Sequence, residues 1–216
     1  MKYYPLYMNV EGRECLVVGA GAVAARKARS LLECGARVAV IGENPVPSLE
    51  RLQSRGLTLR RRKFRKSDIA GFALAFGATD DSTVNGELSR LSRRRGVPVN
   101  IADDPENSTF ILPAVHRRGD LSIAVSTAGR SPALARQIKE DLGRRYGRDY
   151  ADLASLLGAE RERMVQSVPG HRRRAALWRK ILDDGVLDVL REKGRGEAKA
   201  FIRRAIEEEA GRGGKL

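Results

Sequence analysis

The chain has 216 residues, enough for one substantial core plus a smaller second unit, and its 42% hydrophobic and 31% charged residues are those of a soluble globular protein. Its net charge of +14 is unusual: 18 basic and 12 acidic residues lie up to Leu112, and 23 and 15 after it, so the excess is not held in a tail. Such a surface attracts nucleic acid, anionic lipid or a polyanionic small molecule, or it reflects only a composition bias of the host.

The first twenty-one residues carry apolar stretches too short and interrupted for a signal peptide or a membrane span. Cys15 and Cys34 form no CxxC pair and no metal-ligand spacing. Both read as core or near-core thiols in a reducing compartment, and the expected location is cytoplasmic.

Cys15 to Val18 is a short apolar run of the kind buried in parallel sheets. A glycine-rich turn follows, then a helix carrying Val23, Leu31 and Leu32 that Gly35 can cap, then a second apolar strand from Arg37 to Ile41. Strand, helix and strand within about thirty residues make a βαβ unit. The grammar then repeats more loosely. Leu57 to Phe64 alternates apolar and basic residues like a strand near an edge. Phe72 to Ala78 is a buried strand, Ser82 to Arg95 a helix and Val97 to Ala102 a further strand. These elements predict a mostly parallel, doubly wound α/β sheet over residues 1–112. Thr109 to Val115 and Leu121 to Thr127 then read as two strands of an antiparallel hairpin, joined by residues 116–120. From Ser131 onward the pattern is helical, with a helix after Ser131, a run from Asp149 to Gln166, a turn at 167–170, two or three more helices, and a frayed end at 211–215.

Four segments carry the chemistry. Gly19-Ala20-Gly21-Ala22-Val23-Ala24 is a GxGxxA turn between strand and helix. Gly19 allows the tight turn, Gly21 lets backbone amides approach a pyrophosphate, and Ala24 allows close helix packing. Glu43, just beyond the second strand, is placed to accept from ribose hydroxyls and to repel a 2′-phosphate, and no arginine adjoins it in sequence. NAD is therefore favoured over NADP. Thr79, in Ala78-Thr79-Asp80-Asp81, would stand near the nicotinamide, while Asp80, Asp81 or Ser82 caps the next helix. Asp103 and Asp104 follow the fifth strand, where a carboxylate either faces the cofactor crevice or belongs to an Asp-Pro turn without chemistry. In Ser126-Thr127-Ala128-Gly129-Arg130-Ser131-Pro132, Ser131 is an N-cap and Pro132 a first helical residue. Arg130 beside them makes either an anion site or only the flank of a capped helix.

These segments, in this order and spacing over residues 3–136, resemble the N-terminal part of the siroheme synthase family, the precorrin-2 dehydrogenases that often also act as sirohydrochlorin ferrochelatases. The match rests on YPLYMNVEGRECLVVGAGAVAARKARSLLECGARVAVI, ATDDSTVN, VNIADDPENSTFILPAV and AVSTAGRSPALAR. The resemblance implies a Rossmann-like NAD domain (1–112), a segment that intertwines in a homodimer (113–147) and a helical domain (148–216). It implies Asp103 as catalytic acid/base and NAD contacts on Ala22, Val23, Glu43 and Asn44; with the segments above, the expected cofactor contacts are these and Gly19, Gly21 and Thr79, and the expected substrate contacts are Thr127, Arg130 and Ser131. Thr127 departs from the serine that members often carry, which leaves the role of its hydroxyl open. The implied substrates are precorrin-2 and sirohydrochlorin, with Fe²⁺ where chelation accompanies dehydrogenation. A substrate with eight carboxylates gives the basic surface a use. No resident metal and no nucleic-acid or membrane partner are expected.

Two other classes use similar features. A non-catalytic NAD-sensing domain would share the fold without needing Asp103. Nucleic-acid binding has only charge to support it, since aromatic residues are 5% of the chain. A short-chain dehydrogenase is excluded, because no tyrosine has lysine four residues on. The only histidines, His116 and His171, lie far apart in sequence and read as surface groups.

Overall fold

Strands form where short apolar runs can be buried, on both faces in the middle of the sheet and on one face at its edge. In the computed structural model, which describes residues 2–53 and 56–213, these are β1 (Glu14–Val18), β2 (Arg37–Ile41), β3 (Leu57–Arg60), β4 (Leu74–Gly77) and β5 (Val99–Ile101). They make one fully parallel sheet in the order β3-β2-β1-β4-β5. The chain moves outward from β1 through β2 to β3, then returns to the other side of β1 for β4. This puts the reversal of direction between β1 and β4, where such sheets open a crevice at their carboxyl edge.

Alternation along β1 builds two cores. Cys15 and Val17 face α1 (Ala22–Glu33) with Ala24, Ala28 and Leu31, and Leu16 and Val18 face Leu88 of α3 (Ser82–Arg94) with Ile41, Val99 and Ile101. Leu16, Ile41 and Leu88 are fully enclosed, worth about 1.5–3 kcal/mol each on burial. Burial pushes the Cys15 thiol up to about 11, so it packs as an inert apolar side chain. A short helix, α2 (Pro47–Glu50), follows β2.

The edge strand ends earlier than its alternation predicts. β3 stops at Arg60 because the next two residues are drawn elsewhere. Arg61 pairs with Glu50 at 2.7 Å, and Arg62 donates twice to the buried Asp68 carboxylate, at 2.7 Å each. Asp68 also accepts from the Arg65 amide and closes a 3₁₀ turn at Lys66–Ile69. Its carboxyl is held below the usual carboxylate range chiefly by the Arg62 hydrogen bond.

The chain divides into two compact units, Met1–Leu112 and Pro113–Leu216. In the second, β6 (Ala114–Arg118) and β7 (Leu121–Val125) form an antiparallel hairpin around Gly119 and Asp120. The first hairpin strand thus begins later than the predicted Thr109. Thr109 is taken by β5, its amide donating to the Val99 carbonyl at 2.8 Å while its hydroxyl accepts from the Val99 amide. Phe110 packs edge-on against Phe76, and Pro113 separates these contacts from the hairpin.

Among the described residues five helices follow: α4 (Pro132–Arg145), α5 (Arg148–Ala159), α6 (Arg161–Ser167), α7 (His171–Asp183) and α8 (Val186–Gly213), the last kinked at Gly194. Their core gathers Leu156, Met164, Ile181, Ile202 and Ile206. The predicted continuous run from Asp149 to Gln166 breaks at Glu160. That carboxylate is buried and meets Arg203 at 3.0 Å, Arg163 at 3.3 Å and Lys199 at 3.8 Å. Turning the chain there lets it reach all three cations, which offsets the cost of burying it. The expected fraying from 211 is not seen as far as Gly213, where α8 is still helical, and 214–215 lie outside the described residues. Among the described residues no helix is long and apolar enough to cross a membrane.

Candidate functional site

The Gly19 turn lies across the carboxyl ends of three strands. The Gly19 amide donates to the Ile41 carbonyl at 2.8 Å, and the Ala78 amide donates to the Val18 carbonyl at 2.7 Å. Gly19 has φ of 121°, and a Cβ there would stand 2.1 Å from the Ala78 carbonyl oxygen. Only glycine meets both conditions. Gly21 differs: its φ is −83°, and a Cβ on it would meet nothing within 4 Å.

Gly21 is also the N-cap of α1, with no side-chain cap and no acidic residue in the first turn. The leading amides of α1, including those of Ala22 and Val23, are therefore left for an anion, and the helix dipole favours one. An open approach over Gly21, uncapped amides and the exposed Glu43 and Asn44 beyond β2 together fit NAD. Beyond β4, Thr79 is half-buried; its hydroxyl accepts from the Asp81 amide at 3.2 Å and its carbonyl accepts from Asn85 Nδ2 at 2.8 Å. Asp81 caps α3, accepting from the amides of Thr83 and Val84.

Two aspartates follow β5 and have separate tasks. Asp104 accepts from the Asn107 amide at 3.0 Å and from Asn107 Nδ2 at 2.7 Å, and these bonds hold its carboxyl below the usual range. Asp103 is exposed, and its backbone is left-handed with φ of 57°. Its carboxylate accepts no hydrogen bond among the described residues. Asparagine and aspartate tolerate that conformation best among residues with side chains, and such residues gather at functional sites. Gly19, Gly21, Glu43, Asn44, Thr79 and Asp103 thus belong to loops at the carboxyl edge of one sheet, and Ala22 and Val23 to the first turn of α1 beside them.

Thr127, Arg130 and Ser131 belong to the second unit. The Thr127 hydroxyl donates to the Ser131 carbonyl and accepts from the Ser131 amide, both at 3.0 Å, so it is spent on its own loop. Ser131 caps α4 through the Leu134 amide at 3.2 Å. Arg130 is exposed, and Ala128 between them is left-handed with φ of 54°. A cavity of about 510 Å³ in this unit is lined by Leu157, Met164, Trp178 and Leu182 of the helices, and no predicted site residue lines it. No cluster of three His, Cys, Asp or Glu side chains that could hold a metal ion exists among the described residues.

Two features escaped the reading of the sequence. The Gly42 amide donates to the Arg60 carbonyl at 3.2 Å, so an arginine distant in sequence is a spatial neighbour of the Glu43 loop. Asp68 engages this arginine at 3.9 Å, as it does Arg62. Lys27 is the other. It lies on α1 three residues after Ala24 and four before Leu31, so a cation on the buried stripe was a visible signal.

Fold and turn define a nicotinamide-dinucleotide-binding α/β protein with a second, largely helical unit. A family model described as putative NAD(P)-binding matches residues 6–114, one for the central region of sirohaem biosynthesis proteins matches 118–145, and one for the sirohaem synthase dimerisation region matches 149–206. The chain belongs to this siroheme synthase family of putative NAD(P)-binding proteins. The siroheme synthase of Methylococcus capsulatus is 39% identical over 198 residues, covering 91% of this chain and 42% of that protein. That of Nitrosococcus oceani is 34% identical over 208 residues, covering 96% and 44%. The chain therefore spans less than half the length of these relatives. A solved structure described as SirC, precorrin-2 dehydrogenase, superposes with a TM-score of 0.75 at 28% identity, covering 95% of this chain and 100% of that one.

Proposed function

We propose that this protein oxidises precorrin-2 to sirohydrochlorin with NAD, and that Asp103 is the acid/base. The observation that carries the reading is the left-handed Asp103, its carboxylate uncommitted, on the same sheet edge as the uncapped amides of α1. The reaction removes two electrons and two protons from the tetrapyrrole. NAD supplies the hydride acceptor when bound, and the remaining proton needs a base. Asp103 takes it; Gly21, Ala22 and Val23 orient the cofactor through backbone amides, and Glu43 and Asn44 hold its ribose. In the second unit, Arg130, Ser131 and the loop kept in shape by Thr127 meet the carboxylates of the substrate. This role accords with a cytoplasmic location.

The test is to supply precorrin-2 and NAD, with and without Fe²⁺, and follow absorption spectra. A sirohydrochlorin spectrum that appears only with NAD supports the dehydrogenase, and a further shift with iron adds ferrochelatase activity. NAD binding with no change in the tetrapyrrole would leave the protein as a nucleotide sensor.

Cofactor choice gives a second test. Asp68 holds the guanidinium groups of Arg60 and Arg62, and Glu43, exposed in the loop after β2, forms no ion pair among the described residues. NAD is expected to bind more tightly than NADP, and Glu43→Gln is expected to narrow that gap. Equal affinities for the wild-type protein by calorimetry would refute the assignment.

We also assign residues 113–147 to dimer formation, together with the helices of 148–216, and residues 1–112 to the cofactor. The hairpin unit leaves Val115 42%, Leu134 48% and Ile138 36% exposed, apolar surface that a second copy would cover. Light scattering is expected to give twice the 23.8 kDa chain mass; a monomer mass that does not change with concentration would sink the homodimer.

A further inference from the structure

Lys27 is a half-buried cation that the proposed chemistry does not use. Its Nζ lies 5.5 Å from the centre of the Phe76 ring, and among the described residues it forms no ion pair. Burial first, and Arg26 second, push the ammonium below the ordinary lysine range, while the Asp103 carboxylate pulls it back up. Across β4 and β5 Phe76 pairs with Asn100, three residues before Asp103, which brings the ammonium to the Asp103 end of the sheet, and the two side chains form no ion pair among the described residues. A desolvated ammonium without an ion-pair partner is costly, and a bound anion relieves that cost.

Geometry limits which anion that is. Helix side chains lean toward the helix N-terminus, and the N-terminus of α1 stands at the carboxyl edge, so the Lys27 stem runs toward the edge from which Asp103 follows β5. The backbone of Lys27 is five residues past Ala22, roughly 7.5 Å along the helix axis from the amides that take a pyrophosphate. Those amides already supply that anion's donors, whereas Gly19, Gly21, Ala22, Val23, Glu43, Asn44 and Thr79 of the candidate site carry no cation.

We propose that Lys27 is a substrate-binding residue: its ammonium takes a carboxylate of the acidic tetrapyrrole and sets that edge of the macrocycle against Asp103. The proposal rests on the reading of Asp103 as the acid/base. Its readout is binding as well as turnover.

The experiment compares wild-type protein with Lys27→Met, which keeps the apolar stem, and Lys27→Arg, which keeps the charge. A stable porphyrin with eight carboxylates, followed by fluorescence quenching, serves as probe. Lys27→Met is expected to weaken porphyrin binding by about 10- to 100-fold, the range for one hydrogen bond to a charged group. Its NAD affinity and melting temperature are expected to match wild type, and Lys27→Arg to recover most of the porphyrin affinity. In turnover the KM for precorrin-2 rises while kcat changes far less. Should Lys27→Met fail to fold, Lys27→Gln makes the same comparison.

An unchanged porphyrin affinity in the variant overturns this proposal alone. So does a loss of NAD affinity instead, or a fall in kcat at constant KM, which would put Lys27 to work on Asp103 rather than on substrate. Wild-type protein that binds NAD but no porphyrin overturns the tetrapyrrole reading itself, and this proposal with it.

Discussion

Replacing Asp103 with alanine is expected to slow precorrin-2 oxidation by about 10²–10⁴-fold, the usual loss for a general acid/base, while NAD still binds. The carboxylate is exposed and accepts no hydrogen bond among the described residues, so its removal costs the fold little through lost contacts. A backbone cost remains, because alanine is less at ease than aspartate at φ of 57°. Asp103→Asn separates the two effects. Asparagine tolerates the same conformation but cannot take the proton, so it is expected to be as slow as alanine and as stable as wild type. Asp104→Ala is the complementary control. Asp104 spends its oxygens on Asn107, so its loss is expected to lower thermal stability and cost far less activity. If iron insertion uses the same base, the rate of chelation falls with Asp103→Ala too. An Asp103→Ala protein that turns over precorrin-2 near the wild-type rate would remove Asp103 from the mechanism.

The parts of the fold legible in the sequence are those decided locally. Gly19 to Ala24 sit between two apolar runs, and the sheet and turn they predict are present. Ends of elements were less legible, because partners far along the chain decide them. Nothing between Leu57 and Phe64 says that Arg62 will leave the strand for Asp68. Thr109 reads as the start of a hairpin strand, yet Val99 claims it. Glu160 reads as one more polar helical residue until Arg203, more than forty positions on, meets it in the core. For the candidate site, Asp103 was visible as an aspartate after a strand, but its left-handed backbone was not. The spatial link between Glu43 and Arg60 depends on β2 pairing with β3, which neither segment reveals alone.

Gly19→Ala and Gly21→Ala are expected to fail in opposite ways, although both remove a glycine of the same turn. At Gly19 the φ of 121° disfavours any side chain, and the added methyl would overlap the Ala78 carbonyl oxygen at 2.1 Å. That carbonyl cannot easily retreat, because the Ala78 amide is bonded to the Val18 carbonyl at the end of β1. Backbone strain of about 1–3 kcal/mol and overpacking of a similar size add to roughly 2–6 kcal/mol. A domain stable by about 5–15 kcal/mol would lose much of its margin, so the variant is expected to melt far lower or accumulate as insoluble protein. At Gly21 the backbone is ordinary and the surroundings are open, so Gly21→Ala is expected to melt with wild type. Its methyl instead occupies the approach to the α1 amides, and NAD binding is expected to weaken by at least about tenfold, near 1.4 kcal/mol. Calorimetry and thermal melts on the two variants decide the matter. A Gly21→Ala protein with wild-type NAD affinity would remove the amides of α1 from the cofactor site. A Gly19→Ala protein with wild-type melting would show that the ends of β1 and β4 can part without cost.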